Sequence, residues 1–321
     1  MFVRFLAGAC VLAGVGTAFY RRQPVDDHMA HMSAADLAAP RAVATESQGI
    51  AGLPPSNNSA LARINASPRH GEWVKLAWEP GSKDSLMAWI VYPSTSNAKT
   101  PVVVVVHEIF GLATWVRGVA DQVAADGFIA IAPDLNSRVR GGPSTQELSG
   151  DSARKIISGV NMAERNKGII AAAKYAMSQP SAAPRYAVIG FCWGGQTVFG
   201  HAVDGGTNGY AGGVAFYGAF PYSANGQPNA DSIAKIKAPV MLLSGSKDAR
   251  IGASMPAIDS MMKAAHKNYF GKNYEGAVHG FVRAQDDPKT PTRDEAEEQA
   301  NVAALKDAWP RTLEFLRKNL K

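Results

Sequence analysis

The sequence predicts an α/β protein built on one open, mostly parallel, doubly wound sheet. From Glu72 onward, apolar β-branched runs alternate with helical stretches over about 250 residues, a pattern typical of a single α/β domain. Within this part, Val102–Val106 is five valines in succession. A continuous β-branched run predicts a strand that is buried on both faces, as in a parallel sheet. Ligands of such sheets bind at the carboxyl ends of the strands, so the residues after each strand are the candidates for function.

The elements follow in order from hydrophobic periodicity and turn residues. Two strands, Glu72–Glu79 and Leu86–Tyr92, flank the polar turn Pro80–Asp84 and open the domain. The valine run, entered through Pro101, is the third strand. The later predicted strands are Phe128–Ala132, Tyr186–Phe191, Gly213–Tyr217, Val240–Ser244 and Asn268–Tyr274. The predicted helices are Trp115–Ala125, Asn161–Met177, Gly194–Val203, Ala253–Ala265 and Glu295–Lys318, the last with Pro310 as a kink or a break.

Composition excludes several other classes of protein. Apolar residues make up 46% and charged residues 19% of the 321 residues, which suits a globular chain with a large core rather than a disordered one. The two cysteines, Cys10 and Cys192, are too few for a disulfide scaffold or a cysteine-rich zinc module. The net charge is +6, but no cluster of Lys and Arg accompanies it, so nucleic-acid binding is not predicted. No local spacing of ligand residues predicts a metal site, and no cofactor is expected.

The first 70 residues differ in character from the rest. The apolar run Phe5–Tyr20 is shorter than the roughly 20 residues of a membrane-spanning helix, and its small residues fit a signal peptide cleaved after Ala18. Residues 1–20 are therefore expected to be an export signal or, alternatively, an uncleaved membrane anchor, which Arg21 and Arg22 favour. Residues 21–70 show no lasting periodicity and predict a flexible spacer before a domain at 71–321. The expected location is the periplasm or outside the cell, with membrane contact only through an uncleaved leader.

The segment Gly190–Gly194 lies between a predicted strand and a predicted helix. It fits the nucleophile-elbow pattern, with Cys192 in the position of serine. Glycines leave room for the strand and the helix to pack closely, while the sharp turn projects the side chain above the sheet. The positive N-terminal end of the following helix favours the thiolate. The alternative is a buried structural cysteine beside a glycine turn, but the flanking strand and helix favour the nucleophile.

A thiol nucleophile needs a general base and a group that orients the base, in the chain order nucleophile, acid, base. Asp248 follows the strand Val240–Ser244, where the acid is expected, although an Asp there could instead be a turn residue or a helix cap. His279 follows the acid, lies in a predicted loop and precedes a glycine. In this interpretation Asp248 would hold the His279 tautomer and stabilise the imidazolium.

Glu108 follows the valine strand, within His107–Gly111. A buried carboxylate is costly unless it has a partner. Glu108 is therefore satisfied by local backbone or an arginine, or else it faces the sulfur and controls its proton. The loop after this strand commonly supplies one N–H of an oxyanion hole.

Taken together, these segments resemble the dienelactone hydrolases of the α/β-hydrolase superfamily. The resemblance spans about Glu72 to Lys321 and rests on His107–Gly111, Ala132–Leu135, Gly190–Gly195, Asp248 and His279–Phe281. It implies the α/β-hydrolase fold with a single catalytic domain.

The resemblance also implies the roles of individual residues. Cys192, Asp248 and His279 would form a catalytic triad. Glu108 would pair with the thiol at rest and take its proton when substrate binds. The backbone N–H groups of Ile109 and Trp193 would form the oxyanion hole, and the guanidinium groups of Arg138 and Arg283 would hold a substrate carboxylate.

The implied activity is hydrolysis of a small-molecule lactone or carboxylic ester through a thioester intermediate. Enol-type leaving groups suit a thiol nucleophile, because the tetrahedral adduct must expel oxygen rather than the better-leaving sulfur. Two alternatives stay open: a general envelope carboxylesterase without a preference for dienelactones, and a catalytically silent binding module on the same scaffold. The oligomeric state is not predicted.

Overall fold

The protein is described here as a computed structural model that covers residues 49–95, 99–144, 150–221, 223–224, 227–284 and 295–321. The strands of its main sheet are β1 (Gly71–Ala77), β2 (Ser85–Val91), β3 (Thr100–Val106), β4 (Ile129–Asp134), β5 (Ala182–Phe191), β6 (Tyr210–Phe216), β9 (Val240–Gly245) and β10 (Tyr269–Tyr274). A small ribbon contains β7 (Ser223–Ala224) and β8 (Gln227–Pro228). The helices are α1 (Ala60–Asn65), α2 (Thr114–Ala125), α3 (Ser137–Arg140), α4 (Gly150–Ile157), α5 (Met162–Met177), α6 (Trp193–Asp204), α7 (Ala230–Lys235), α8 (Ala249–Ala264) and α9 (Glu295–Asn319).

The main sheet has eight strands in the spatial order β1-β2-β4-β3-β5-β6-β9-β10. Strand β2 runs against both of its neighbours, and the pairs from β4 to β10 are parallel. Helices α2, α5, α6, α8 and α9 pack against this sheet. The predicted α/β class with a mostly parallel sheet is therefore confirmed.

The central strands are buried on both faces, as the five valines predict. Every residue of Val102–Val106 has no exposed surface, and β4 is buried throughout. Helix α5 begins at a capping box, in which the side chains and backbone N–H groups of Asn161 and Glu164 bond reciprocally. The parallel strands direct the loops after β3, β5, β6, β9 and β10 to one edge of the sheet, where the candidate site lies.

Helix α9 continues through Pro310, so the proline does not break the helix. A proline inside a helix removes one backbone hydrogen bond. Buried apolar side chains on both sides of it, including Trp309 and Leu313, anchor the two halves of α9 in the core. Helix α8 begins four residues earlier than predicted, directly after Asp248, which caps it.

The described part of the predicted spacer packs onto the domain. Residues 53–60 are buried despite their polar sequence, and the Pro55 carbonyl accepts a hydrogen bond from Trp115 Nε1 at 2.9 Å. Arg63 donates to Gln122 Oε1 at 2.8 Å. The packed part of the chain thus begins before Gly71. The predicted leader, residues 1–20, and the spacer up to residue 48 lie outside the described residues. Within the described ranges, none of the helices has the length and apolar character needed to cross a bilayer.

Candidate active site

Cys192 occupies a strained turn between β5 and α6. Its φ is +56° and its ψ is −115°, in a region that residues with a side chain rarely adopt. A Cβ on Gly190 would lie 2.3 Å from the Gly194 oxygen, and one on Gly194 would lie 2.4 Å from the Val106 oxygen. Both glycines are therefore required by the close approach of backbone segments. Cys192 is 1% exposed, so its sulfur is enclosed by neighbouring side chains rather than open to solvent.

The structure brings Asp248 and His279 together at the carboxyl ends of β9 and β10. Asp248 Oδ2 lies 2.5 Å from His279 Nδ1, while Oδ1 accepts from the Ile251 N–H at 3.2 Å and caps α8. One carboxylate thus serves as helix cap and as histidine partner at once. The imidazole and the Cys192 side chain lie close enough to shift each other's pKa, and Nε2 is the ring nitrogen that Asp248 leaves open.

Burial and neighbouring charges set the protonation of this pair. Burial raises the pKa of the Cys192 thiol; His279 and the Trp193 N–H act in the opposite direction, and the charge of Glu108 adds to the rise. Burial alone would lower the pKa of His279, but the Cys192 and Asp248 side chains outweigh it and raise that pKa well above 6.5. The charge of the ionised sulfur is the largest cause that raises the His279 pKa, so the imidazole gains affinity for a proton as the thiol loses its own.

Glu108 forms a buried ion pair with Arg283. The Arg283 Nε lies 3.0 Å from Glu108 Oε2, and both side chains are about 95% buried. The arginine partner is therefore present, and the resting Glu108–Cys192 pair that the resemblance implies stays a prediction. The physical reason is that a buried carboxylate needs a cation nearby, and Arg283 supplies it. Glu108 is still close enough to Cys192 for its charge to raise the thiol pKa.

The loop that carries Glu108 and Ile109 is fixed by His107. The Leu135 N–H donates to His107 Nε2 at 3.0 Å, so the proton of the neutral ring lies on Nδ1, which is 2.6 Å from the Glu108 carbonyl oxygen. Burial lowers the pKa of His107 and keeps it neutral. Ile109 follows in the same loop and is fully buried.

The side chain of Trp193 stacks against His107 and Arg165. The His107 ring lies 5.4 Å from the Trp193 ring at an interplanar angle of 12°, and the Arg165 guanidinium carbon lies 4.0 Å from the same ring. Arg165 is itself tied to Gln196 Oε1 at 2.7 Å. These contacts fix the residue whose backbone N–H interacts with the Cys192 side chain. Nothing in the sequence singles out Arg165, because it lies in the first turn of an ordinary helix.

Arg138 has different partners from those expected of a substrate-binding residue. Its guanidinium pairs with Asp84, lies 3.7 Å from Glu164 Oε1 and stacks 3.8 Å over the Trp78 ring. The positive charge of Arg138, which the resemblance assigns to a substrate carboxylate, is therefore already paired with the carboxylates of Asp84 and Glu164. The role of Arg138 at a substrate carboxylate stays a prediction.

Tyr217, which the sequence reasoning did not consider, lies at the centre of the site. Its ring centroid is 5.0 Å from that of His279, and its φ is +40°. The residues that converge at this edge of the sheet are Glu108, Cys192, Tyr217, Asp248, His279 and Arg283. Among the described residues, no group of three or more His, Cys, Asp or Glu side chains is arranged to hold a metal ion.

The chain is similar in sequence and in fold to known proteins. The model of the "Dienelactone hydrolase family" matches residues 86–320. A Synechocystis protein named "Putative carboxymethylenebutenolidase" is 30% identical over 69% of this chain and 87% of its own length. A Bradyrhizobium protein named "Probable 2-oxo-3-(5-oxofuran-2-ylidene)propanoate lactonase" is 29% identical over 78% of this chain and 94% of its own length. A crystal structure of a Klebsiella pneumoniae protein, described as a "Putative Dienelactone Hydrolase", is 25% identical and superposes with a TM-score of 0.59 over 77% of this chain and 99% of that chain.

Proposed function

Because the chain belongs to the dienelactone hydrolase family, we propose that it hydrolyses a lactone or carboxylic ester through a thioester on Cys192. The observation that carries this proposal is the 2.5 Å contact between Asp248 and His279, with the imidazole against a cysteine at a strained elbow. This arrangement supports the roles of Cys192 as nucleophile, His279 as base and Asp248 as the group that orients the base.

The proposed reaction begins with transfer of the thiol proton from Cys192 to His279. The sulfur then attacks the carbonyl carbon, and the backbone N–H groups of Ile109 and Trp193 stabilise the oxyanion. The C–O bond to the leaving oxygen breaks, and that oxygen takes the proton from His279. Water, activated by His279, next attacks the thioester, releases the acid and restores the thiol. Asp248 stabilises the imidazolium in both halves of the reaction.

Glu108 has an electrostatic role in this scheme. Its negative charge next to the sulfur raises the pKa of the thiol, which disfavours the reactive thiolate before substrate arrives. Arg283 balances this charge in the buried site. A resting thiol is protected from alkylation and oxidation, since the thiolate is the reactive form.

The proposed substrates are enol lactones that carry a carboxylate. The names of the Synechocystis and Bradyrhizobium relatives describe action on molecules of this class, and Arg283 offers a guanidinium in the site. A second candidate, a general esterase for neutral substrates, is favoured by the pairing of Arg283 with Glu108, because that pair has no net charge.

The test compares hydrolysis of carboxylated enol lactones and neutral 4-nitrophenyl esters by the wild type and by Cys192→Ala. The proposal predicts turnover in the wild type and loss of turnover in the variant for every substrate. The exposed Asp259→Asn on α8 is the control variant and is expected to retain full activity. Turnover by Cys192→Ala at the wild-type rate would contradict the proposed nucleophile. Selectivity of the wild type for one substrate class decides between the two candidates.

Export is also part of the proposal. The apolar run Phe5–Tyr20 and the small residues up to Ala18 support a cleaved leader. N-terminal sequencing of the protein from fractionated cells tests this point. A mature chain that starts near Phe19 in the envelope or culture fraction is expected, and a full-length chain in the cytoplasm would contradict it.

A further inference from the structure

Tyr217 has two features that each cost free energy of folding. Its backbone φ of +40° lies in the left-handed region, where a residue with a side chain is strained. Its side chain is fully buried, and the phenolic oxygen has no hydrogen-bond partner among the described residues. A phenylalanine would keep the packing of the ring and remove the unsatisfied hydroxyl. A buried donor of this kind is accounted for if a ligand satisfies it.

The hydroxyl belongs to the candidate active site. The centroid of the Tyr217 ring lies 5.0 Å from that of the His279 ring. His279 belongs to the same loop as Arg283. Burial and, after it, the charges of Glu108 and Cys192 raise the pKa of Tyr217 well above 10, while Arg283 opposes them. The phenol therefore stays protonated and available as a neutral donor beside the nucleophile and the Glu108–Arg283 pair.

We propose that the Tyr217 hydroxyl binds a carboxylate on the acyl part of the substrate, together with the Arg283 guanidinium. This role rests on the proposed function of Cys192. The Glu108–Arg283 pair has no net charge, so it attracts an anion only weakly by itself. The Tyr217 hydroxyl would be a second, uncharged donor to the substrate carboxylate. Its hydrogen bond would form only when a carboxylated substrate is bound.

The test uses two chromogenic esters, mono-4-nitrophenyl succinate and 4-nitrophenyl butyrate, which share a leaving group and a chain length and differ by one carboxylate. In Tyr217→Phe, the ratio of kcat/KM for the succinate to that for the butyrate is expected to fall by about tenfold or more, mainly through KM for the succinate. The Tm of Tyr217→Phe is expected to equal or exceed that of the wild type, because an unsatisfied buried hydroxyl is removed.

Tyr210 provides the matched control, because it lies at the opposite end of β6 and its buried hydroxyl also has no described partner. Tyr210→Phe is expected to leave the substrate ratio unchanged. Equal losses on both esters in Tyr217→Phe, or no loss on either, would overturn the proposed role while Cys192 chemistry stands. A wild type that cleaves neither ester, or a Cys192→Ala variant that cleaves both, would instead remove the proposed function and this role with it.

Discussion

Replacing Asp248 with asparagine separates the two tasks of its carboxylate. Oδ1 caps α8 through the Ile251 N–H, and Oδ2 lies 2.5 Å from His279 Nδ1. Asparagine keeps an oxygen for the cap, and the two residues are equally good caps, but it removes the buried charge beside the imidazole. A hydrogen bond to a charged group contributes about 1.5–3 kcal/mol, which corresponds to roughly 10- to 150-fold in rate. We expect the loss in kcat, because the charge acts on the imidazolium formed during the reaction.

The assay combines steady-state hydrolysis of a 4-nitrophenyl ester with thermal unfolding. Asp248→Asn is expected to lower kcat about 100-fold with little change in Tm, whereas Asp248→Ala is expected to lower kcat similarly and to lose about 1 kcal/mol of stability with the cap. A kcat for Asp248→Asn close to that of the wild type would refute the assigned role of the carboxylate. A parallel fall of Tm and kcat in both variants would show that Asp248 acts through the helix alone.

Three further changes test other parts of the site. Glu108→Gln removes the charge that raises the thiol pKa, so the midpoint of the pH profile for iodoacetamide alkylation is expected to move to lower pH; an unchanged or higher midpoint would contradict the electrostatic role. Gly190→Ala places a Cβ 2.3 Å from a backbone oxygen and is expected to cost about 3 kcal/mol in urea unfolding, whereas Gly142→Ala, with open space around it, is expected to be neutral. Arg138→Gln is expected to leave KM for carboxylated substrates unchanged, and a selective rise in that KM would restore the role implied by the resemblance.

The sheet and the elbow could be predicted because their signals are local. Five successive valines predict a buried strand, and the structure has one there. The glycines on either side of Cys192 predict close backbone packing at the turn, and the structure shows it. The proximity of Asp248 and His279 was also predictable, since both follow strands whose carboxyl ends lie at one edge of the sheet.

The interior of the site could not be predicted, because it depends on contacts between distant parts of the chain. The pairing of Glu108 with Arg283 joins two loops from opposite halves of the domain, and no pattern within either loop indicates it. The left-handed backbone of Tyr217 has no sequence signal at all, since the strained conformation is imposed by its surroundings.

The buried segment at residues 53–60 shows a different limit of sequence patterns. Its polar side chains predict exposure to solvent. Instead, the Ser56 and Ser59 hydroxyls form a hydrogen bond with each other, and the Asn57 N–H donates to the Arg283 carbonyl at 2.9 Å. A polar segment that satisfies its own hydrogen bonds can be buried without hydrophobic periodicity.

The most direct test of the thioester mechanism is the mass of the acylated protein. Rapid acid quenching during turnover of a 4-nitrophenyl ester, followed by digestion and mass spectrometry, is expected to find one acyl group on the peptide that contains Cys192. Hydroxylamine at neutral pH should remove this group, and Cys192→Ala should not acquire it. An acyl group on another residue, or steady turnover with the wild type and Cys192→Ala equally active and unlabelled, would contradict a thioester at this position.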